Sequence, residues 1–281
     1  MQQNYELDSE NGILFFPRLK EQFGINNLAT YDNGKWGNMS EKLAKNEEEK
    51  PLIAQKRTKV ANLVGTDEFV VMKCPLEAGF IHFGKESQAV IRNSQSQQDD
   101  IGLYELNVNA VLTSLTGQGV MTSPSDCAII VIAHPDTDHF AYIHVGSKEA
   151  FVGIYEDVLD LFSVRASLEN MSRAEVYIFP YICPQHYEYG LDFIEKMSSS
   201  VDWIEEYCVE VEDKEKKGFD FVRRVKDRMR DKYGISSFYD TAICTYESAQ
   251  NDKLYSYRLT KSDEIRYPRA AFTVAVARSS K

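Results

Sequence analysis

The chain has no CxxC pair, and its five cysteines, Cys74, Cys127, Cys183, Cys208 and Cys244, are an odd number. That excludes a disulfide framework and points to a reducing, cytoplasmic setting. No apolar run approaches the roughly 18 residues a membrane helix needs, so no span is expected. The opening MQQNYELDSENG is polar and acidic, unlike a signal peptide. Residues 1–11 are therefore read as a poorly ordered tail. Positive charge is scarce: Asp and Glu number 43 against 32 Lys and Arg, a net charge of −11. A protein that grips a phosphate backbone needs a basic face. The one basic stretch, 214–232, is interrupted by acids as a solvated helix face is, so no nucleic-acid partner is expected. Histidine is also scarce, at five.

What is present suits a globular protein. A chain of 281 residues, 43% hydrophobic and 12% aromatic, can bury a sizeable core without a staple. No linker or repeat divides it, so residues 1–281 read as one domain. Strands are expected at 13–16 (closed by Pro17), 68–72, 78–83, 88–91, 108–113, 127–133, 140–145, 176–182, 240–246, 254–258 and 271–277. The stretch 26–56 reads as loop. Helical spacing marks Phe151 to Phe162, Phe193 to Cys208, and Phe219 to Met229, the last stopped by Gly234. The class is α+β, with mixed, largely antiparallel sheets covered by helices.

The sharpest chemical feature is Ser125-Asp126-Cys127 at the head of the apolar strand CAIIVIA. The turn HPDTDH follows, and the next strand carries His144 back beside Cys127. A cysteine–histidine pair supports two chemistries, a thiolate with its base or two ligands of a zinc-like metal. A third ligand must come from elsewhere, and His82 is the only histidine earlier in the chain. Asp126 is placed to orient a ligand from behind. His134 and His139 flank an exposed acidic turn and read as turn residues rather than a second metal site. Cys183 and Cys244 read as packed strand residues. Gly117 and Gly119 lack the strand-to-helix context of a dinucleotide loop.

The order of further motifs adds a resemblance. Phe80-Ile81-His82-Phe83-Gly84, Asn109 to Thr113, Ser125-Asp126-Cys127 and Ile143-His144-Val145-Gly146 follow the QVHG, ADALVT, TADC and VHAGWRG segments of the laccase-domain family. That family was first described as polyphenol oxidases and later as purine nucleoside phosphorylases. IFPYICPQHYEYG (178–190) resembles its IGPxIGPCCYEVG, and Cys244-Thr245 with Tyr255 to Arg258 resembles its CT…FYSYRRD. Gly37 to Ser40 resembles a GNMS variant. The resemblance runs from about residue 13 to the C-terminus. It implies a layered sheet fold shared with deamidase-type toxins of the cysteine-hydrolase-like class. It also implies a metal on His82, Cys127 and His144, zinc or alternatively copper. The reaction implied is phosphorolysis of purine nucleosides such as inosine and adenosine, with adenosine deamination as a second activity. Purine nucleoside and phosphate are the partners implied, for a monomer or small homo-oligomer.

The chain departs from the family around the substrate. Tyr31 stands for the TRxGG arginine, Phe80 for the glutamine of QVHG, His186 for a cysteine of GPCC, and Ser147-Lys148 for Trp-Arg. Lysine holds phosphate as a point charge, without arginine's fork. Arg258 is retained and is the best anion contact. The catalytic set expected is Cys127, His144, Lys148 and Arg258, acting on a different substrate or with weakened phosphorolysis. The alternatives are a copper polyphenol oxidase, a metal-free Cys–His hydrolase or deamidase, and a non-enzymatic metal-binding relative. Five histidines are too few to ligate a multinuclear copper cluster as well as this site.

Overall fold

The computed structural model describes residues 4–31, 36, 39, 48–66, 68–74, 80–83, 102–251, 253–262 and 272–279. At 80–83, 102–104 and 260–262 it describes the backbone. Among the described residues, no helix is long and apolar enough to cross a membrane.

The strongest element is β9 (Ala128–Ala133), every residue of which is buried. Its neighbours explain why. Alternate strand residues point to opposite faces. Ala128, Ile130 and Ile132 enter a core shared with helices, while Ile129, Val131 and Ala133 enter a core shared with a second sheet. A strand covered on both sides has no polar face to offer. Each fully buried isoleucine or valine contributes about 1.5–3 kcal/mol relative to exposure.

β9 lies inside a six-stranded sheet. Its order is β15 (Ser237–Asp240), β11 (Glu175–Ile178), β9, β10 (Phe140–Val145), β7 (Ala110–Thr113) and β5 (Phe80–Phe83). The pairs within β11-β9-β10-β7 are antiparallel, and the two outer pairs are parallel. The second sheet has seven strands. Their order is β1 (Glu6–Asp8), β2 (Ile13–Phe15), β3 (Ile25–Thr30), β16 (Val274–Arg278), β8 (Gln118–Thr122), β4 (Glu68–Met72) and β6 (Gly102–Leu106). Val70, Val120, Val274 and Val276 of this sheet meet Val111, Val131, Tyr142 and Tyr177 of the first in one apolar layer. The outer face of the seven-stranded sheet is covered by α2 (Glu49–Val64) through Val60, Ala61 and Val64. The outer face of the six-stranded sheet is covered by α3 (Ser147–Val152), α4 (Ile154–Arg165) and α6 (Phe221–Tyr233). The result is helix, sheet, sheet, helix. Beside it lies a small antiparallel sheet, β12 (Glu188–Gly190), β14 (Lys216–Phe219) and β13 (Cys208–Glu210), with α5 (Leu191–Ser198).

The α+β class and the largely antiparallel sheets agree with the sequence reading. Several elements differ. The tail expected over 1–11 carries β1, paired with β2 from Glu6↔Phe15 to Asp8↔Ile13. Pro17 closes β2, as expected, but also opens α1 (Pro17–Phe23), where its fixed φ and missing N–H suit the first helical position. The expected loop 26–56 holds most of β3 and the start of α2. The helix over 151–162 is two helices, broken at Gly153 with φ +72°. The helix over 193–208 ends at Ser198; a 3₁₀ turn, Ile204–Tyr207, leads into β13. The strand over 240–246 stops where Ala242 takes φ +50° and its N–H bonds Asp240 Oδ1, and α7 (Thr245–Ala249) follows. The strand over 254–258 is instead the entry to α8 (Tyr257–Ser262), with the Ser256 hydroxyl accepting from Leu259 N–H. The strand expected at 88–91 lies outside the described residues.

Hairpin register positions the site. His144 pairs with Ile129 and Val145 with Ala128, so Cys127 and Gly146 face each other where the two strands leave the sheet.

Candidate functional site

Cys127 sits one residue before β9, half-buried. A Cβ placed on Gly146 would lie 2.8 Å from Cys127 Sγ and 3.2 Å from Glu149 Oε2. Glycine at 146 therefore makes room for the thiol. Its φ of −111° would suit any residue, so the requirement is space rather than backbone freedom. The Cys127 and Cys74 sulfurs both neighbour His144. Burial works against a charge on this imidazole, but the two neighbouring sulfurs outweigh it and hold its pKa well above the usual histidine value.

Behind the ring stands Glu149, whose Oε1 is 4.0 Å from His144 Nδ1. The carboxylate is fixed from two sides: Asn109 Nδ2 donates to Oε1 at 2.9 Å, and Gly146 N–H donates to Oε2 at 2.9 Å. The second bond belongs to the first turn of α3, where Glu149 occupies the capping position three residues in. His144 Nδ1 is buried and has no hydrogen-bond partner among the described residues. A buried imidazole nitrogen without a partner costs about 1–3 kcal/mol. An imidazole with a carboxylate on its Nδ1 side, and a thiol at the same strand end, form a donor set that fits a borderline-soft metal, with Glu149 orienting the histidine.

The third expected ligand, His82, lies on β5 with its backbone opposite Leu112 of β7; its side chain falls outside the described residues. Cys74 was not singled out by the sequence reading. It follows β4 with φ +37°, an uncommon conformation for a residue with a side chain, and its Sγ contacts Thr122 Oγ1 at 3.5 Å. Only three-dimensional neighbours reveal it, since it is 53 residues from Cys127 in the chain and lies in none of the motifs.

Asp126 ties a second group of segments to Cys127. Its Oδ1 accepts from Thr245 Oγ1 and its Oδ2 from Arg258 N–H, both at 2.8 Å, and its backbone carbonyl accepts from Ile182 N–H at 2.9 Å. Burial pushes its carboxyl up, while bonds from Ser256, Arg258 and Thr245 pull it back. Arg258 donates from Nη1 to Glu188 O at 2.9 Å and lies over the rings of Tyr187 and Tyr189, 5.4 and 5.7 Å from their centroids. Both tyrosine hydroxyls donate to Ser147 Oγ, at 3.1 and 2.9 Å. Tyr189 also stacks on Phe193 at 4.7 Å. An aromatic wall carrying one guanidinium thus stands beside the Cys127 strand end.

The other expected residues fall elsewhere. Lys148 is exposed on the first turn of α3, while its neighbour Ser147 faces the tyrosines. Tyr31 packs on the layer between the two sheets. His134, read as part of an exposed turn, is buried; Nδ1 accepts from Asp136 N–H and Nε2 meets Asn170 O at 3.2 Å, so both ring nitrogens have partners, one in the turn and one in the segment before β11. The basic stretch 214–232 is largely paired: Arg228 with Glu156, Lys232 with Asp160 and Glu156, Lys226 with Asp240, and Arg230 with Asp227.

Solved structures with this architecture exist. YlmD from Geobacillus stearothermophilus superposes with a TM-score of 0.77 at 15% identity, covering 99% of this chain and all of that one (100%). The Bacillus licheniformis hypothetical protein YfiH superposes with a TM-score of 0.75 at 15% identity, covering 98% and 99%. Among curated proteins, the chain is 22% identical over 163 residues to purine nucleoside phosphorylase Cj1217c of Campylobacter jejuni; the match covers 58% of this chain and 66% of that protein, just short of two thirds. The model of the family described as Multi-copper polyphenol oxidoreductase laccase matches residues 37–275, well over half of the chain, and the protein belongs to that family.

Proposed function

We propose that this protein is a metal-assisted enzyme acting on purine nucleosides, with phosphorolysis of the N-glycosidic bond as its reaction. The observation that carries the reading is the half-buried Cys127–His144 pair, with Glu149 behind the histidine and the Tyr187–Tyr189–Arg258 wall at the same strand end. The name of the Campylobacter relative supports it.

Cys127 and His144 would hold the metal, with His82 as the third protein ligand and the fourth position open, as in catalytic zinc sites. A bound zinc supplies Lewis acidity toward a substrate oxygen or water. Glu149 keeps the His144 ring oriented. The Tyr187–Tyr189 wall, with Arg258 over it, gives a purine ring a surface to pack against. Arg258, held over those rings, presents a cation toward a phosphate or the ribose, where phosphate must attack C1′ in line with the departing base. Asp126 sets the height of Arg258 through its main-chain N–H. Lys148, exposed on its helix, is better placed to draw anions to the surface than to touch a bound one.

The test is incubation of the full chain with inosine and inorganic phosphate, reading hypoxanthine and ribose 1-phosphate. Turnover that falls at least a hundredfold in Cys127→Ser supports the reading. No release of hypoxanthine from inosine, nor of adenine from adenosine, by the zinc-loaded protein defeats it. A second reading rests on the hairpin register that brings Cys127 to the same strand end as His144, an arrangement that also suits a thiol nucleophile and its base acting without metal. Activity that survives exhaustive chelation but not Cys127→Ser would select it.

A further inference from the structure

A second cluster of metal-ligating groups lies apart from the Cys127–His144 pair. Cys183, His186, Cys244 and Glu247 each bring a ligand atom within 4.8 Å of the others. They come as two short pairs, CxxH at 183–186 and CxxE at 244–247. Neither pair is the strand that the sequence pattern suggested. Cys183 begins a turn in which His186 N–H and Tyr187 N–H both return to its carbonyl at 3.1 Å. Cys244 directly precedes α7, which carries Glu247 in its first turn. A turn and a helix start both bring residues three apart onto one side. The two segments are joined by the Tyr181–Cys244 bridge and by Thr245 N–H donating to Tyr181 O at 3.0 Å.

The contacts inside the cluster are those of ligands already gathered. Cys183 Sγ is 3.8 Å from Glu247 Oε1, and His186 Nε2 is 3.4 Å from the same oxygen. The His186 ring is stacked on Tyr246 at 4.2 Å, which fixes its plane. Cys244 is buried at the base while Glu247 is exposed at the mouth, so an ion enters from solvent. Tetrahedral zinc with sulfur at about 2.3 Å and nitrogen or oxygen at about 2.0–2.2 Å sets its ligands roughly 3.3–3.8 Å apart. The cluster needs to contract by about 1.5 Å at most to meet that spacing.

We propose that Cys183, His186, Cys244 and Glu247 form a second metal site, a closed four-coordinate site for a borderline-soft divalent cation of the zinc class. Two thiolates, one imidazole and one carboxylate leave no open position, which is the pattern of structural rather than catalytic zinc. Its place in the fold gives it a task. It clamps the 181–187 segment to the 243–247 segment, and both are tied to Asp126 through Ile182 N–H and Thr245 Oγ1. The same 181–187 segment ends in Tyr187 of the aromatic wall. The ion therefore stiffens one side of the Cys127 site without touching it.

The experiment is metal counting on the full chain, stripped with chelator under reducing conditions and reloaded with zinc, alongside cobalt(II) substitution. The expected result is one equivalent fewer in Cys183→Ser/Cys244→Ser than in the unmodified protein, with loss of the near-ultraviolet thiolate-to-cobalt band from this site. Cys127→Ser should keep this equivalent whatever becomes of the other site, which separates this proposal from the reading of Cys127 and His144. Should the double variant fail to fold by circular dichroism, His186→Gln and Glu247→Gln decide the matter from the rim, each expected to weaken zinc binding about tenfold or more. Unchanged stoichiometry in the double variant, unchanged affinity in both rim variants, or a Cys183–Cys244 disulfide in protein purified without reductant would overturn the proposal.

Discussion

Gly146→Ala puts one methyl group where the geometry is tightest. Its carbon would lie 2.8 Å from Cys127 Sγ and 3.2 Å from Glu149 Oε2, whereas non-bonded heavy atoms of this kind settle at about 3.5–4.0 Å. The backbone accepts alanine, because φ is −111° and ψ −164°. All of the strain must go into moving the thiol or the strand end. Overpacking of this size costs about 1–3 kcal/mol of stability. Rotating Cys127 away removes the contact with His144, and pushing Glu149 loosens the carboxylate behind His144. Loss of such an orienting partner costs about 10–100-fold in metal affinity. The assay pairs urea unfolding with a zinc competition titration. Gly153→Ala is the control: its φ of +72° strains alanine by about 1–2 kcal/mol, but the position is away from the thiol, so stability should fall and zinc affinity should not. Gly146→Ala with unchanged zinc affinity would refute the placement of Cys127 Sγ in the metal centre.

Other substitutions probe separate links. Glu149→Gln should keep the bond from Gly146 N–H but lose the charge behind His144, lowering zinc affinity about 10–100-fold with a small change in melting temperature. Asp220, whose carboxylate accepts from Arg223 N–H at the start of α6 at 2.9 Å, should cost about 0.5–2 kcal/mol as Asp220→Ala in chemical denaturation. Glu156 is held below its usual pKa first by the two bonds from Arg228, against burial, with Lys232 adding to them. A lowered carboxylate pKa stabilises the fold above the unfolded value and loses that contribution as pH falls through the folded value. Glu156→Gln should therefore cost about 1 kcal/mol at pH 7 and progressively less below about pH 4; a cost that does not shrink in acid would contradict the ion-pair account.

The sequence made β9 and β10 legible because both are apolar runs bounded by turn residues, and the hairpin between them already placed Cys127 near His144. It made α6 legible through its apolar spacing and Gly234, which takes φ +68°. It concealed α2, because a helix rich in basic residues (Lys50, Lys56, Arg57 and Lys59) covers its sheet with only a narrow stripe, Ile53, Val60, Ala61 and Val64. It misread 240–246 and 254–258, where β-type residues are overridden by a positive φ at Ala242 and a serine cap at Ser256. Glu149 was hidden inside a motif dominated by His144 and Lys148, although its spacing from Gly146 is that of a helix cap. Cys74 and the Cys183–Cys244 cluster depend on contacts between segments far apart in the chain, which no local pattern encodes.

The most direct test of the metal centre is an anomalous difference map at the zinc edge from crystals of the zinc-loaded full chain. The account predicts a peak bonded to Cys127 Sγ at about 2.3 Å and to a His144 ring nitrogen at about 2.0–2.1 Å. A map with no peak within bonding distance of Cys127 and His144 would contradict it.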